Sequence, residues 1–244
     1  MATSAPEGIR DPEQAATIVW TDRFLDYSWT PEHPMKPARL RYTMALARAL
    51  GVLDGIELLT PRPADTADLL RVHASDYLDA VRNAVPAQLP GDPPADPPYG
   101  LGSADNPVFP RMHEASSVIV GGTLAAARAI AAGATRRAVS IGGGMHHAMP
   151  GRAAGFCVYN DVAVAISWLL EHGFDRIAYI DVDVHHGDGV QHAFYRDPRV
   201  LTLSIHQHPA TLWPNTGWPS ETGSGHGDGT AINLPVLPGT RDPQ

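Results

Sequence analysis

The sequence predicts an α/β fold with a single open, mostly parallel sheet and helices on both faces. Short apolar runs alternate along the chain with segments of helical periodicity, which is typical of parallel strands joined by helices. The 244 residues are 43% hydrophobic, enough for the core of one sizeable domain over residues 1–244. Two polar stretches, 142–147 and 181–188, each follow or end a predicted strand. Ligands of such sheets bind outside the carboxyl ends of the strands, so we expect both stretches at one edge.

Short apolar runs predict the strands, and apolar residues at helical spacing predict the helices. The predicted strands span residues 17–20, 56–60, 137–141, 177–184, 200–206 and, as an edge strand, 230–234. The predicted helices span residues 39–50, 65–73, 76–84, 114–132, 160–171 and 189–195. Gly51, Gly133 and Gly173 are typical helix stops. The first 15 residues are polar and expected to be frayed, and the loops are predicted at 24–37, 86–98 and 207–230.

The composition argues against several classes of partner. The net charge is −8 with histidines neutral, so no basic footprint indicates binding to nucleic acid or to an anionic membrane surface. No apolar run approaches the ~18 residues of a membrane span, and the first residues lack the basic and apolar segments of a secretory signal. Cys157 is the only cysteine, which excludes an intrachain disulfide and fits a reducing cytoplasm.

The first candidate site lies in residues 177–189, which read I-A-Y-I-D-V-D-V-H-H-G-D-G. Burying a carboxylate at the end of a strand is costly unless it is paired or binds a metal. Strand side chains alternate faces, so Asp181, Asp183 and His185 are expected to share one face and offer half of a metal site. The following glycines let the backbone turn and direct Asp188 back towards that site. The alternatives are a buried salt-bridge network and, for Asp188, a helix-capping role.

The second candidate site lies in residues 142–161, which read G-G-G-M-H-H-A-M-P-G-R-A-A-G-F-C-V-Y-N-D. His146 and His147 are adjacent after a glycine turn, so they cannot both be core histidines that face one way. Imidazoles near spare carboxylates suggest His–Asp dyads, in which the carboxylate fixes the tautomer and raises the basicity of the ring. Such dyads suit general acid–base catalysis, and a metal beside them suits hydrolysis of a carbonyl compound. The alternative is that both histidines are structural.

Six stretches together resemble the histone deacetylase superfamily, and within it the bacterial acetoin-utilization type. They occur in the family's order, cover nearly the whole chain and are specific in combination. They read H-P-M-K-P-A-R (33–39), Y-G-L-G-S-A-D-N-P-V-F (99–109), G-G-G-M-H-H (142–147), G-F-C-V-Y-N-D (155–161), D-V-D-V-H-H-G-D-G-V (181–190) and L-T-L-S-I-H (201–206). The resemblance implies an arginase/deacetylase-like fold and a hydrolytic deacetylase that uses zinc or ferrous iron.

The resemblance implies two metal sites. Asp183 and His185 would be zinc ligands. A structural potassium ion would lie beside the zinc, held partly by backbone carbonyls. The potassium ligands would come from Asp181, Asp183, His185, Ser204 and Ile205.

The resemblance also implies catalytic roles for the two histidines and their partners. His147, paired with Asp188, would be the general base and would later protonate the leaving amine. His146, paired with Asp181, would stay protonated and support the charge of the transition state.

Five further residues would bind substrate or product by the same resemblance. Gly155 would line the acyl-lysine tunnel by its backbone, with Phe156 and Trp213 as the walls. Asp105 would accept hydrogen bonds from substrate amides at the rim, and Arg39 would line an internal channel for acetate. The alternatives are core packing for the aromatics, a solvated loop position for Asp105 and an exposed helix position for Arg39.

The chain departs from the family pattern in one respect. The family's third zinc ligand is an aspartate in a later G-A-D-type motif, and its transition-state tyrosine follows a later glycine-rich turn. Asp228 and Asp242 do not lie in that context, and the sequence reaches Gln244 before either motif. We therefore expect an incomplete domain that lacks its C-terminal part and binds zinc poorly. Since losing an oxyanion donor costs ~10²–10³ in rate, we expect weak or no activity from this chain alone.

The leading functional hypothesis is a zinc-dependent enzyme that removes acetyl groups from acetyl-lysine on protein. The implied partner is an acyl-CoA synthetase. The alternatives are an acetylpolyamine deacetylase that acts on small acetylated amines, an arginase-like ureohydrolase, and a catalytically incomplete binding protein. The ureohydrolase is disfavoured because such sites need more carboxylates around a D-x-x-x-D pattern and lack the histidine pair.

Overall fold

The structure is a computed structural model that describes residues 16–86 and 96–241. Its described strands are β1 (Ala16–Val19), β2 (Glu57–Leu59), β3 (Arg137–Ser140), β4 (Ile177–Asp181), β5 (Val200–Gln207) and β6 (Ala231–Val236). Its described helices of regular α type are α1 (Ala38–Ala49), α2 (Thr66–Leu69), α3 (Ser75–Asn83), α4 (Met112–Ala131), α5 (Asp161–Glu171) and α6 (Asp188–Phe194). The prediction of frayed residues 1–15 and part of the predicted loop 86–98 lie outside the described residues.

The strands pair in parallel, which confirms the predicted α/β class. They form two groups of three, with the orders β2-β1-β3 and β4-β5-β6. Within the described ranges β3 and β4 each lie at the edge of a group and do not pair with each other. β6 lies at the other edge of its group, as expected for the segment 230–234, and continues to Val236.

The helices pack against the sheets and enclose the core. The long helix α4 contacts β1, β3 and α5, and α6 contacts α5 and β5. One apolar cluster surrounds α4 and extends to α5. A second, smaller cluster lies between α5, α6 and β5 and contains Ala163, Ile166, Val190, Phe194 and Val200. No helix in the described parts of the chain is long and apolar enough to cross a membrane.

The predicted strand 177–184 is wrong beyond Asp181. Asp181 Oδ1 accepts a hydrogen bond from the Asp183 amide at 2.9 Å, and Asp183 Oδ1 accepts one from the His185 amide at 2.8 Å. These two successive turns, in which an aspartate bonds the backbone two residues on, replace the ladder of a sheet. Val182, beyond the end of the ladder, is 77% exposed.

Two predicted helices also differ in extent. The predicted helix 65–73 contains only one regular turn, α2, which begins after Asp65. The Asp65 carboxylate accepts from the Asp68 amide and the Asp68 side chain accepts from the Asp65 amide, so the two residues form a capping box. At the other end of the chain, α6 begins at Asp188, one residue before the predicted start. Asp188 is thus the first helical residue.

Candidate active site

A cavity of about 700 Å³ lies where the segments after β3 and β4 meet. Its lining contains ten of the residues that the sequence predicts for the site. They are Arg39, Asp105, His146, His147, Gly155, Phe156, Asp181, Asp183, His185 and Trp213. Asp188, Ser204 and Ile205 do not line this cavity. The structure therefore brings together residues from distant parts of the sequence, as expected for the carboxyl ends of parallel strands.

The start of α5 holds the turn that carries the two histidines. The buried Asp161 carboxylate accepts from the Gly144 amide at 3.0 Å and from the Met145 amide at 2.7 Å, and also from the Thr123 hydroxyl. Asn160 caps the helix and donates from Nδ2 to the Ala148 carbonyl at 3.0 Å. Since the turn lacks regular structure of its own, these bonds determine its path.

Each histidine of the pair donates to its own carboxylate. His146 Nδ1 lies 2.7 Å from Asp181 Oδ2, and His147 Nδ1 lies 2.7 Å from Asp188 Oδ1. A carboxylate only accepts, so the proton is on Nδ1 in both rings. In the neutral ring Nε2 is then the free acceptor. All four residues are more than nine-tenths buried.

The two dyads differ in electrostatics. Burial by itself lowers the pKa of His146, but the hydrogen bond and charge of Asp181 outweigh it, and the pKa is raised above the ordinary value. Burial also lowers the pKa of His147, and there the hydrogen bond to Asp188 does not compensate, so the pKa stays below the ordinary value. His146 is therefore protonated more readily than an ordinary histidine, and His147 less readily. The site can hold one imidazolium beside one neutral base.

Two residues that the sequence analysis missed support these dyads. The Tyr179 hydroxyl donates to Asp181 Oδ2, the oxygen that also faces His146. Burial tends to raise the pKa of Asp181, but the hydrogen bonds to the carboxylate outweigh it and the pKa is lowered. Tyr179 precedes Asp181 by two positions on a strand, so the two-residue period could have placed both on one face. Asp161, the other missed residue, reads in the sequence only as a helix cap.

Asp183 and His185 form a pair of possible metal donors. Asp183 Oδ1 lies 3.0 Å from His185 Nδ1, and both side chains are partly exposed at the cavity. Oxygen and imidazole donors suit zinc, but a catalytic zinc usually has three protein ligands. Among the described residues no group of three or more His, Cys, Asp and Glu is arranged to hold a metal. The pair fits half of a zinc site.

Three of the residues proposed for potassium lie on the neighbouring strands β4 and β5. Asp181 at the end of β4 is the register partner of Ser204 on β5, and Ile205 follows on the opposite face. Ser204 Oγ lies 2.9 Å from His206 Nδ1, and His206 Nε2 lies 2.9 Å from the Gly217 carbonyl. A carbonyl only accepts, so Nε2 of His206 carries the proton and the serine hydroxyl donates to Nδ1. The lone pairs of Ser204 Oγ therefore remain available to a cation.

The rim of the cavity combines aromatic walls with an exposed carboxylate. The Trp213 ring lies 4.6 Å from the His147 ring. A side chain at Gly155 would fall 2.5 Å from His147 Cδ2 and 2.6 Å from Trp213, so only glycine fits between them. The Phe156 carbonyl accepts from the Tyr27 hydroxyl at 2.8 Å. Asp105 is exposed.

One further predicted residue, Arg39, lies beside this rim, and Cys157 also lines the cavity. Arg39 is exposed on α1 and lines both the main cavity and a small adjoining one. Burial raises the pKa of the Cys157 thiol, which disfavours the reactive thiolate.

An α/β fold in which two His–Asp dyads lie at a cavity has the acid–base groups that a hydrolytic enzyme needs. The histone deacetylase domain profile matches residues 33–244. The chain is 43% identical over 227 residues to the acetoin utilization protein AcuC of Bacillus subtilis (strain 168), and 39% identical over 230 residues to AcuC of Staphylococcus xylosus. These alignments cover 93% and 94% of this chain but 58% and 59% of the relatives.

Solved structures give the same relationship. A crystal structure of an HDAC homologue from Aquifex aeolicus aligns with a TM-score of 0.78 and 35% identity over 92% of this chain and 60% of its own. A structure of an HDAC homologue complexed with SAHA aligns equally well. The chain belongs to the histone deacetylase family, and it spans about three-fifths of the length of these relatives. The predicted family and its acetoin-utilization branch are confirmed.

Proposed function

We propose that this protein is a metal-dependent deacetylase that removes acetyl groups from acetyl-lysine on protein. The observation that carries the proposal is the pair of dyads with opposite pKa directions, His146–Asp181 and His147–Asp188, beside a pair of metal donors. Hydrolysis of an amide needs a base to activate water, an acid for the leaving amine and a positive group near the developing charge. The dyads offer all three.

In this proposal His147 and His146 take different roles. His147 accepts the proton of the attacking water at Nε2, because its Nδ1 proton is held by Asp188. It then returns that proton to the leaving amine. His146 stays protonated against Asp181 and stabilises the negative charge that develops on the acetyl oxygen.

Asp183 and His185 would hold the metal, which we propose to be zinc or ferrous iron. When bound, such an ion supplies Lewis-acid polarisation of the carbonyl and lowers the pKa of water. The two described donors would need a third from elsewhere. We also propose a structural potassium ion at Asp181, Asp183, His185, Ser204 and Ile205, supported by the register of β4 and β5 and by the free lone pairs of Ser204 Oγ.

The rim supports a substrate with an aliphatic stem and a polar backbone. Trp213 and Phe156 offer apolar walls for the methylene groups of lysine, and Gly155 keeps the passage open. Asp105 is free at the exposed rim to accept from substrate amides, and Arg39 offers a cation for the acetate product. We infer an acetylated protein in the cytoplasm as the substrate, with an acyl-CoA synthetase as the candidate partner.

A comparison of two substrates tests the proposal. The full-length protein with added zinc is assayed for acetate release from an acetyl-lysine peptide and from acetylputrescine. A higher kcat/KM for the peptide supports the proposal, whereas a preference for acetylputrescine supports the acetylpolyamine alternative. Absence of turnover with both substrates, despite bound metal, would leave the binding-protein alternative in place and contradict the enzymatic one.

A further inference from the structure

The cavity wall formed by Trp213 belongs to a segment that has little core of its own. Trp213 lies in the connection between β5 and β6, and of residues 211–220 only Gly217 is buried. The segment therefore has few buried apolar side chains to fix its path, beyond ring contacts such as that of Trp213 with His147. Its position against His147 needs another source of order, and hydrogen bonds to neighbouring elements provide it.

Glu221 forms hydrogen bonds both within the segment and to α6. Its Oε1 accepts from the Gly217 amide at 3.0 Å and from the Trp218 amide at 3.1 Å. Its Oε2 accepts from Gln191 Nε2 at 2.8 Å. Hydrogen bonds to a charged acceptor contribute more to stability than hydrogen bonds between neutral groups. A single carboxylate therefore both holds the backbone of the segment together and attaches it to α6.

The Glu221 carboxylate also determines the direction of the hydrogen bonds that Gln191 and His186 make. Because Glu221 only accepts, the amide nitrogen of Gln191 faces it and Gln191 Oε1 faces away. That oxygen lies 3.1 Å from His186 Nε2 and accepts from Asn233 Nδ2 at 2.8 Å. His186 Nε2 therefore carries the proton, and Nδ1 accepts from the Thr216 hydroxyl at 2.8 Å.

This series of hydrogen bonds thus leads back to the segment at Thr216, three residues after Trp213. A tight contact reinforces it at Gly217, where a side chain would fall 2.4 Å from His206 Nε2 and 2.7 Å from His186 Cγ. Gly217 has a positive φ of +86°, so glycine suits the position in both respects. Hydrogen bonds and close contacts thus hold the segment at residues 216–218 and at Glu221. Trp213 lies three residues before this fixed part and covers the cavity.

We propose that Glu221 is a positioning residue that holds the Trp213 wall against His147 and so determines how tightly the site grips the aliphatic stem of its substrate. It touches neither the cavity nor its lining residues and acts through the segment. Its role in substrate binding rests on the proposed deacetylase function, while its role in fixing Trp213 does not.

The positioning is tested directly by fluorine NMR of the full-length protein labelled with 5-fluorotryptophan. The 244-residue chain contributes five tryptophan resonances, and Trp213→Phe identifies the one of interest. Glu221→Ala is expected to shift or broaden the Trp213 resonance. Asp228→Ala is the matched control, because this exposed carboxylate of the same connection bonds, among the described residues, only the nearby Thr222 hydroxyl. An unchanged Trp213 resonance in Glu221→Ala, or an equal change in the control, overturns the proposal.

A milder substitution keeps the proposal testable if Glu221→Ala does not fold. Glu221→Gln keeps an acceptor for the Gly217 and Trp218 amides but turns a donor towards the Gln191 amide. It is expected to move the Trp213 resonance less than Glu221→Ala while retaining the thermal unfolding transition. If Glu221→Ala does not fold, an unchanged resonance in a folded Glu221→Gln is the outcome that overturns the proposal.

The kinetic readout separates positioning from chemistry. Glu221→Ala is expected to raise KM for an acetyl-lysine peptide by about ten-fold, a change equivalent to one hydrogen bond to a charged group, with a smaller effect on kcat. A loss in kcat with unchanged KM contradicts the positioning role. If the parent protein releases no acetate, the proposed function fails, but the fluorine experiment still decides the placement of Trp213.

Discussion

At the scale of single residues, the adjacent histidines gain different chemistry from their surroundings. Both are buried and both donate to a carboxylate at 2.7 Å. His146 also lies against Asp181 in reach of two further carboxylates, which raises its pKa despite burial. For His147 burial dominates, and the charges of His146 and His185 add to it. Neighbouring positions in the sequence therefore acquire pKa shifts of opposite direction.

The first prediction concerns the proposed general base. His147→Ala should lower kcat of the full-length protein by about 10²–10⁴-fold, the usual contribution of general acid–base catalysis. Asp188→Asn should lower kcat less, because the ring stays in place but loses its preferred tautomer. Steady-state acetate release measures both, with the exposed His192→Ala as the control. Equal activity of His147→Ala and His192→Ala would contradict the assigned role.

The second prediction concerns the pH dependence of stability. Burial lowers the pKa of His73 from 6.5 to about 4, and its Nε2 accepts from the Asn160 amide at 2.9 Å. The unfolded chain therefore binds a proton more readily than the folded one, and stability present above pH 6.5 is lost as pH falls towards 4. The loss from this residue is about 3 kcal/mol.

His73→Gln removes this titration while keeping a side-chain acceptor. The difference in unfolding free energy between the parent and His73→Gln should shrink by about 3 kcal/mol between pH 7 and pH 4. Urea denaturation at several pH values measures the difference. The exposed His192→Gln should run parallel to the parent, and parallel curves for His73→Gln as well would refute the assignment.

At the scale of elements, the sequence predicted the regular segments well and their ends less well. Local periodicity is sufficient to locate α4 or β5, because it reflects which face of the element is buried. The end of β4 depends instead on Asp181 and Asp183 bonding the backbone ahead of them. Val182 and Val184 continue an apolar pattern that the hydrogen bonds interrupt, so composition alone extends the strand too far.

The third prediction concerns the glycine turn between β3 and α5. A side chain at Gly143 would fall 2.4 Å from Asp161 Oδ2 and 2.5 Å from Thr123 Oγ1, the groups that hold the turn. Gly143→Ala should therefore destabilise the protein by about 1–3 kcal/mol, as overpacking does. Gly151→Ala, where a side chain meets no atom within 4 Å, is the matched control and should change stability by less than about 0.5 kcal/mol. Thermal unfolding of both variants measures the effect, and similar unfolding temperatures would contradict the predicted overpacking at Gly143.

At the scale of the whole molecule, the site depends on bringing the two groups of strands together. The histidine pair follows β3 in one group, and its carboxylates lie at and after the end of β4 in the other. The sequence could predict that both polar stretches lie at strand ends, but the pairing of each histidine with its carboxylate came from the family resemblance. Spacing along the chain does not reveal it, because 35 and 41 residues separate the partners.

The fourth prediction concerns metal binding by the 244-residue chain. Only Asp183 and His185 are arranged as zinc donors in the described residues, one fewer than a catalytic site usually has. The chain without an affinity tag should therefore bind zinc weakly and lose it on gel filtration with a mild chelator. Asp183→Ala should abolish the residual binding, whereas Asp228→Ala should not. Isothermal titration measures the affinity and elemental analysis the retained metal. One zinc ion retained per chain after the chelator, or binding unchanged by Asp183→Ala, would refute a two-donor site and point to a third donor that this arrangement does not include.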